Sequence, residues 1–313
     1  MIADLAMQSH WAFTPEDLVR EVKHLPSSPK VLPKLKHLLC DENSAMHEIV
    51  ELIRLDVGIA ARVLHLANSV VYSKGALCHT VEEAVNRVGY SEIYQLVSYA
   101  VASQVLVRPL GVYGIEADEL WKLSVAGALA AEMLAIRTRQ DRAAAYTVGL
   151  LHCVGMVAID EWALRHAHGL TLKHAGFPRE AVESERATFG FTQAETGAAL
   201  LRHWEFPAAM SEPVRWQYAP RASAGHTRMA SLLHAAKWLR TAACAAGKAP
   251  ALDVANLQPL GLGAAALQAM VPELKRKLAA VDSLLDAVEL SAADGESPAA
   301  EQRFPVQDWD EVA

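Results

Sequence analysis

Between Asp141-Arg142 and Asp160-Glu161 the chain is apolar around the whole helix circumference, relieved only by His152 and the weakly polar Thr147 and Cys153. A helix that is hydrophobic on every side belongs inside a protein or inside a membrane. At about 1.5 Å per residue, Tyr146–Ile159 is at the short limit for crossing a bilayer. The central histidine and two internal glycines argue further against a span. The pattern predicts the buried core helix of a soluble domain. Gly149 and Gly155 each cost on the order of 1 kcal/mol of helix propensity relative to alanine. Their presence predicts close approach of a neighbouring helix.

The remainder reads as helix after helix. Thr14-Pro15-Glu16-Asp17 is a helix start, with Thr14 as N-cap and acids in the first turn. The turn Leu25-Pro26-Ser27-Ser28-Pro29 separates it from a helix over Lys30 to Leu39. Asp41 to Ser44 caps a third, His47 to Leu55, and Asp56 opens a fourth that Asn68-Ser69 closes. Thr80 caps a helix ended by Gly89, and Ser91 caps another reaching Val107. After Pro109 and Gly111-Val112-Tyr113-Gly114, helices follow at Ala117–Thr138, the core stretch, Asp160–Ala167, Glu180–Thr188, Gln193–Trp204, Pro207–Gln217 and Gly225–Cys244. Pro272 opens a last one, with Leu274, Leu278, Val281, Leu285 and Val288 at spacings of four and three. Period-2 alternation is almost absent, so strands are not expected. The expected fold is all-α: a two-lobed helical bundle, 24–115 and 116–290, sharing one core. Residues 1–13 have weak periodicity, and 291–313 form an acidic, Pro-punctuated tail expected to be disordered.

Composition narrows the class. Just over half of the 313 residues are hydrophobic and the formal net charge is -7. The basic footprint of a nucleic-acid binder is missing. Cys40, Cys78, Cys153 and Cys244 show no paired spacing, which points to reduced thiols in a cytoplasmic protein. The N-terminus carries no basic n-region, so neither a signal peptide nor membrane insertion is expected.

Gly149-Leu150-Leu151-His152-x-x-Gly155 resembles the core helix of the HD phosphohydrolases, in which a paired His and Asp hold a divalent metal. Other landmarks resemble the HDOD (HD-related output domain) family. These are Leu25–Pro29, Asp56 with Ala67-Asn68-Ser69, Ala84–Gly89, Trp121-x-x-Ser124, Glu185, Phe189-Gly190, Gly197, Leu200-Leu201, Trp204 and Pro207. The resemblance implies an HDOD domain over 24–220. Residues 1–23 would be an N-terminal extension with its helix, and 221–290 a helical extension completing the second lobe. It also implies an HD-domain-like core in a bacterial signal-transduction module of mostly non-catalytic kind.

The expected metal ligands are degenerate. His152 remains, but its acidic partner is Cys153, and the next expected His is Gln193. A later His-His pair is Gln217-Tyr218, and the late Asp position falls on Lys237. A hard cation prefers oxygen ligands, so a thiol substitutes poorly. A zinc site using Cys153 and His152 would need two more ligands from His166, His168, His174 or His203. No metal, cofactor or catalytic residue is expected. Asn68, Ser69, Trp121 and His152 are the candidate ligand- or partner-binding residues, although Asn68-Ser69 also suits a plain helix terminus and Trp121 plain packing. The implied function is regulation by binding a protein partner, with homodimerisation open. The alternatives are a residual metal-dependent phosphohydrolase on nucleotides or cyclic dinucleotides, and a sensor holding a small nucleotide between the lobes.

Overall fold

Short polar side chains set the helix starts. Thr14 and Asp17 cap each other's backbone N–H groups, Asp56 Oδ1 accepts from Ile59 N at 2.8 Å, and Thr80 Oγ1 accepts from Glu83 N at 3.1 Å. Asp141 accepts from Ala143 and Ala144, and Thr192 forms a capping box with Glu195. Each side chain answers N–H groups that a helix leaves without a partner in its first turn. At the other end of the Thr80-capped helix, Gly89 supplies the positive φ of 93° at the C-cap.

The computed structural model describes residues 14–22, 31, 34, 35, 38, 44–69, 72, 73, 75–89, 92, 93, 109–172, 179–204, 206–244 and 251–280. Its helices are α1 (Pro15–Val19), α2 (Met46–Arg54), α3 (Val57–Asn68), α4 (Val81–Val88), α5 (Ala117–Thr138), α6 (Arg142–Leu151), α7 (Val154–His166), α8 (Arg179–Phe189), α9 (Gln193–His203), α10 (Ala208–Arg215), α11 (Thr227–Cys244) and α12 (Ala264–Gln268). Residues 271–280 are also helical. Among the described residues there is no strand, only the bridge Leu110–Ile115. The fold is all-α, as expected. Helix α2 starts at Met46, one residue before the expected His47, with Ala45 and not Ser44 as its N-cap; Ser44 Oγ donates to Leu38 O. The expected helix to Val107, most of the one over Lys30 to Leu39, and the tail 291–313 lie outside the described residues.

One apolar cluster runs from Leu18 to Leu274 and joins both halves. Helix α1 supplies Leu18 and Val19 to it and packs on α9 and α7. Around this helix Arg202 bonds Glu16 at 2.9 Å, and His166 Nε2 bonds Glu21 at 2.5 Å. Across the halves, Tyr146 OH donates to Arg54 O at 2.8 Å while the Arg54 guanidinium lies 4.1 Å over the Tyr146 ring. One stretch, Arg142–His166, is long and apolar enough to cross a membrane, and 83% of its apolar window is buried inside the fold.

That stretch corrects the expectation of one core helix followed by another from Asp160. The break falls at His152-Cys153, and Asp160 lies within α7. The His152 ring explains the position. Its Nδ1 contacts Gly149 O at 2.6 Å, the carbonyl that the Cys153 N–H would use if the helix continued. Asp160 is fully buried and its carboxylate accepts from Val112 N at 2.9 Å, which anchors the loop after Pro109.

Candidate functional site

The break at His152-Cys153 is surrounded by helix ends, and glycines allow the approach. A Cβ on Gly155 would lie 1.8 Å from Gln193 O, so α7 and the start of α9 touch backbone to backbone. A Cβ on Gly149 would lie 2.7 Å from Gly127 O, and one on Gly127 2.6 Å from the His152 ring. Both glycine positions therefore mark close helix approaches, as their propensity cost suggests. The packing brings together His152, Cys153, Gln193, Gln217, Tyr218 and Lys237, the positions that the resemblance singles out.

Hydrogen bonds and one cation–π contact link all of them but Cys153 into one network. Gln217 is its hub: Nε2 donates to His152 O at 3.0 Å and Val214 O at 2.9 Å, and Oε1 accepts from Lys237 Nζ at 2.6 Å. His234 Nδ1 lies 2.9 Å from the Gln217 carbonyl. The Lys237 ammonium also sits 3.8 Å from the centre of the Tyr218 ring. Gln193 Nε2 donates to Tyr218 OH at 2.8 Å, and Gln193 N donates to Glu185 Oε2 at 2.8 Å. Tyr113 OH donates to the other Glu185 oxygen at 3.0 Å. Cys153 Sγ and Ser124 Oγ are 3.0 Å apart. Arg240 Nη1 reaches His152 Nε2 at 2.6 Å.

Those contacts assign the His152 tautomer. Nδ1 faces a carbonyl and must carry the proton; Nε2 faces a guanidinium and must offer its lone pair. Burial, with Arg240 and Lys237 nearby, holds the imidazole far below its usual pKa, so it is neutral. Burial also pushes Lys237 well down, and raises the Cys153 thiol against the smaller pull of Ser124. No base contacts that thiol among the described residues, so the arrangement offers it no activation.

Burial drives Glu185 the other way, up to about 7 from 4.5, against the lowering effect of its bonds from Gln193 and Tyr113. A carboxyl whose folded pKa is raised holds its proton longer in the folded state than in the unfolded one. Stability from this group is therefore greatest below about 4.5 and falls as pH rises to about 7. The difference is on the order of 3 kcal/mol. Urea melts from pH 4.5 to 8 are expected to show Glu185→Gln losing less stability than the wild type over that window. Parallel curves for the two proteins would remove the argument.

The resemblance to the HD phosphohydrolases implies a divalent metal here, and the residues present do not fit one. The imidazole lone pair that would ligate it is engaged by Arg240. The neighbouring carboxylate, Glu185, has both oxygens bonded. Two side-chain cations stand in the same cluster, and among the described residues no group of three His, Cys, Asp or Glu is arranged to hold an ion. Of the extra zinc ligands considered, His174 lies outside the described residues and His166 is bonded to Glu21.

Asn68 and Ser69 belong elsewhere. Asn68 accepts from Cys78 N at 2.6 Å and donates to Cys78 O at 3.2 Å, while Ser69 Oγ donates to Leu66 O at 2.8 Å. Trp121 lies in α5, but its side chain is outside what is described. Sequence reasoning missed Arg240, Tyr113 and Ser124's contact with Cys153. The available signal for Arg240 was its spacing of three from Lys237, which puts both on one helix face.

A cavity of about 350 Å³ lies in the first half of the chain, lined by Met46, His47, Val50, Glu51, Glu82 and Asn86. No lysine or arginine is among these residues.

A family model described as HDOD domain matches residues 25–220. An uncharacterized protein from Treponema pallidum (strain Nichols) is 26% identical over 201 residues, which make up 63% of this chain and 38% of that protein. The chain thus spans well under half of that relative's length. Among solved structures, the MmoQ response regulator from Methylococcus capsulatus str. Bath matches with TM-score 0.61 at 21% identity, over 80% of this chain and 99% of that one. A virulence factor from Campylobacter jejuni subsp. jejuni matches with TM-score 0.62 at 19% identity, over 84% and 99%. At these identities the likeness is one of fold.

Proposed function

The chain belongs to the HDOD domain family, and from that premise we propose that it is a non-catalytic, cytoplasmic regulatory module whose output is binding to another protein. A regulatory role fits the family and the response regulator that shares its fold. The observation that carries the non-catalytic half is the engagement of His152 Nε2 by Arg240. Metal-assisted hydrolysis needs an ion with an open position for water, and this imidazole has no lone pair left to offer. Binding of a protein is the output that fits a domain of this family without a metal centre.

Protein purified without chelator is expected to carry no stoichiometric Mn, Fe, Zn or Mg. Phosphodiester and phosphomonoester substrates, cyclic dinucleotides included, are expected to stay at background with or without added metal. Cross-linking in the native host should recover a protein partner, and Cys153→Ala should leave that recovery intact. Metal-dependent turnover that disappears on Cys153→Ala would instead favour the phosphohydrolase reading. The nucleotide-sensor reading needs a cationic side chain for a phosphate, which the cavity in the first half of the chain does not supply. A nucleotide that binds only the folded state would raise the apparent melting temperature, so a thermal-shift screen separates this reading from the main one.

A further inference from the structure

Lys237 and Arg240 are one turn apart on α11, and both heads turn into the network around His152-Cys153. Lys237 is buried and forms no ion pair with any carboxylate among the described residues, and neither does Arg240. A buried charge without a counterion is costly unless other groups solvate it. Here the groups in direct contact are neutral, namely the Gln217 Oε1, the face of Tyr218 and the His152 lone pair, while the acid that acts on Lys237 through space is Glu185. Each comes from an element other than α11. His152 sits at the break between α6 and α7, and Gln217 and Tyr218 in the turn after α10. Gln217 then bonds back to the His152 carbonyl, which closes the circuit.

We propose that Lys237 and Arg240 are a built-in substitute for a bound metal ion: two side-chain cations that pin the His152-Cys153 break to the Gln217-Tyr218 turn and close this site to divalent cations. The inference shares the metal-free premise of the proposed function and is independent of what the partner is. It makes the two residues positioning residues, acting through His152 and Gln217. A metal ion would organise the same helix ends by collecting lone pairs from several elements. The two cations do so with N–H donors, and they cannot dissociate.

The test reads local opening separately from global stability. Cys153 and Cys78 are both buried free thiols, the first at the helix break that this network holds and the second beside Asn68. Thiol labelling under native conditions, followed by peptide mass spectrometry, reports each separately. Lys237→Met and Arg240→Met are expected to speed labelling of Cys153 by about tenfold or more relative to Cys78. Lys237→Arg and Arg240→Lys, which keep the charge, are expected to restore most of the protection. Millimolar Mn²⁺ or Zn²⁺ should change neither rate in the wild type. Equal acceleration of both thiols, or a methionine variant as protected as the wild type, would overturn the proposal. So would a metal that protects Cys153. If the methionine variants do not fold, the wild type decides alone. Long-range ¹⁵N–¹H spectra are expected to show His152 as the neutral Nδ1–H tautomer; an imidazolium or the Nε2–H form rejects the cation-held arrangement. Failure here with hydrolysis assays still at background would leave the non-catalytic reading standing, whereas metal-dependent hydrolysis would remove both.

Discussion

Replacing Gly155 with alanine is expected to cost about 4 kcal/mol of stability, although it removes no side chain. The added Cβ would stand 1.8 Å from Gln193 O and 2.7 Å from both Gln193 C and Gly197 N. All three atoms are backbone, so no rotamer change relieves the clash. Helices α7 and α9 must move apart, and Gln193 N then leaves the Glu185 carboxylate it donates to. A loss of this size is a large part of the stability of an ordinary domain, roughly 5–15 kcal/mol. Gly197→Ala faces contacts of 3.1 Å to Gly155 N and 3.3 Å to a Val214 methyl, which cost less because the methyl can yield. Gly111→Ala meets nothing within 4 Å and is the neutral control. Urea midpoints at constant slope measure the series. A Gly155→Ala protein that melts with the control would mean that α7 and α9 do not pack in this register.

The same glycine shows why parts of this fold are legible in the sequence. A glycine inside an apolar helix costs stability locally, so its presence signals a tertiary contact even without a partner in view. Helix starts are legible for a related reason: Thr14, Asp56, Thr80 and Asp141 cap within three residues of themselves, so cause and effect share one stretch of chain. The break at His152-Cys153 was not legible. Its ring bond to Gly149 O depends on the other ring nitrogen meeting Arg240, some ninety residues later. Tyr113 was hidden for a similar reason. The Gly111–Gly114 stretch reads as a turn between halves, yet Tyr113 is buried and holds a Glu185 oxygen across 72 residues. That His152, Cys153 and Gln193 lie close together was legible through the resemblance. Lys237 was singled out in the same way, but the contact of Arg240 with His152 was not, because it joins residues 88 apart.

Asn68→Ala is expected to cost about 3–4 kcal/mol, more than the removal of a surface cap, because it orphans two buried backbone groups at about 1–3 kcal/mol each. Asn68 is 2% exposed, and its two amide atoms close a ring with the N–H and C=O of Cys78. That ring fastens the segment before α4 to the last turn of α3. No water reaches either Cys78 group easily once the amide is gone, since Cys78 is itself fully buried. Asn68→Asp separates the two bonds. A carboxylate still accepts from Cys78 N, but it turns an acceptor toward Cys78 O and brings a charge into an apolar site, so it should be no better than alanine. Glutamine keeps both groups but is one methylene too long for the ring. Ser69→Ala removes only an exchangeable bond to Leu66 O and should cost within about 1 kcal/mol. If Asn68 served a ligand and not the fold, the order would change: Asn68→Ala would melt like the wild type and lose only partner or nucleotide binding. Chemical denaturation beside a binding assay on the same two variants distinguishes those outcomes, and the paired bonds to Cys78 favour the first.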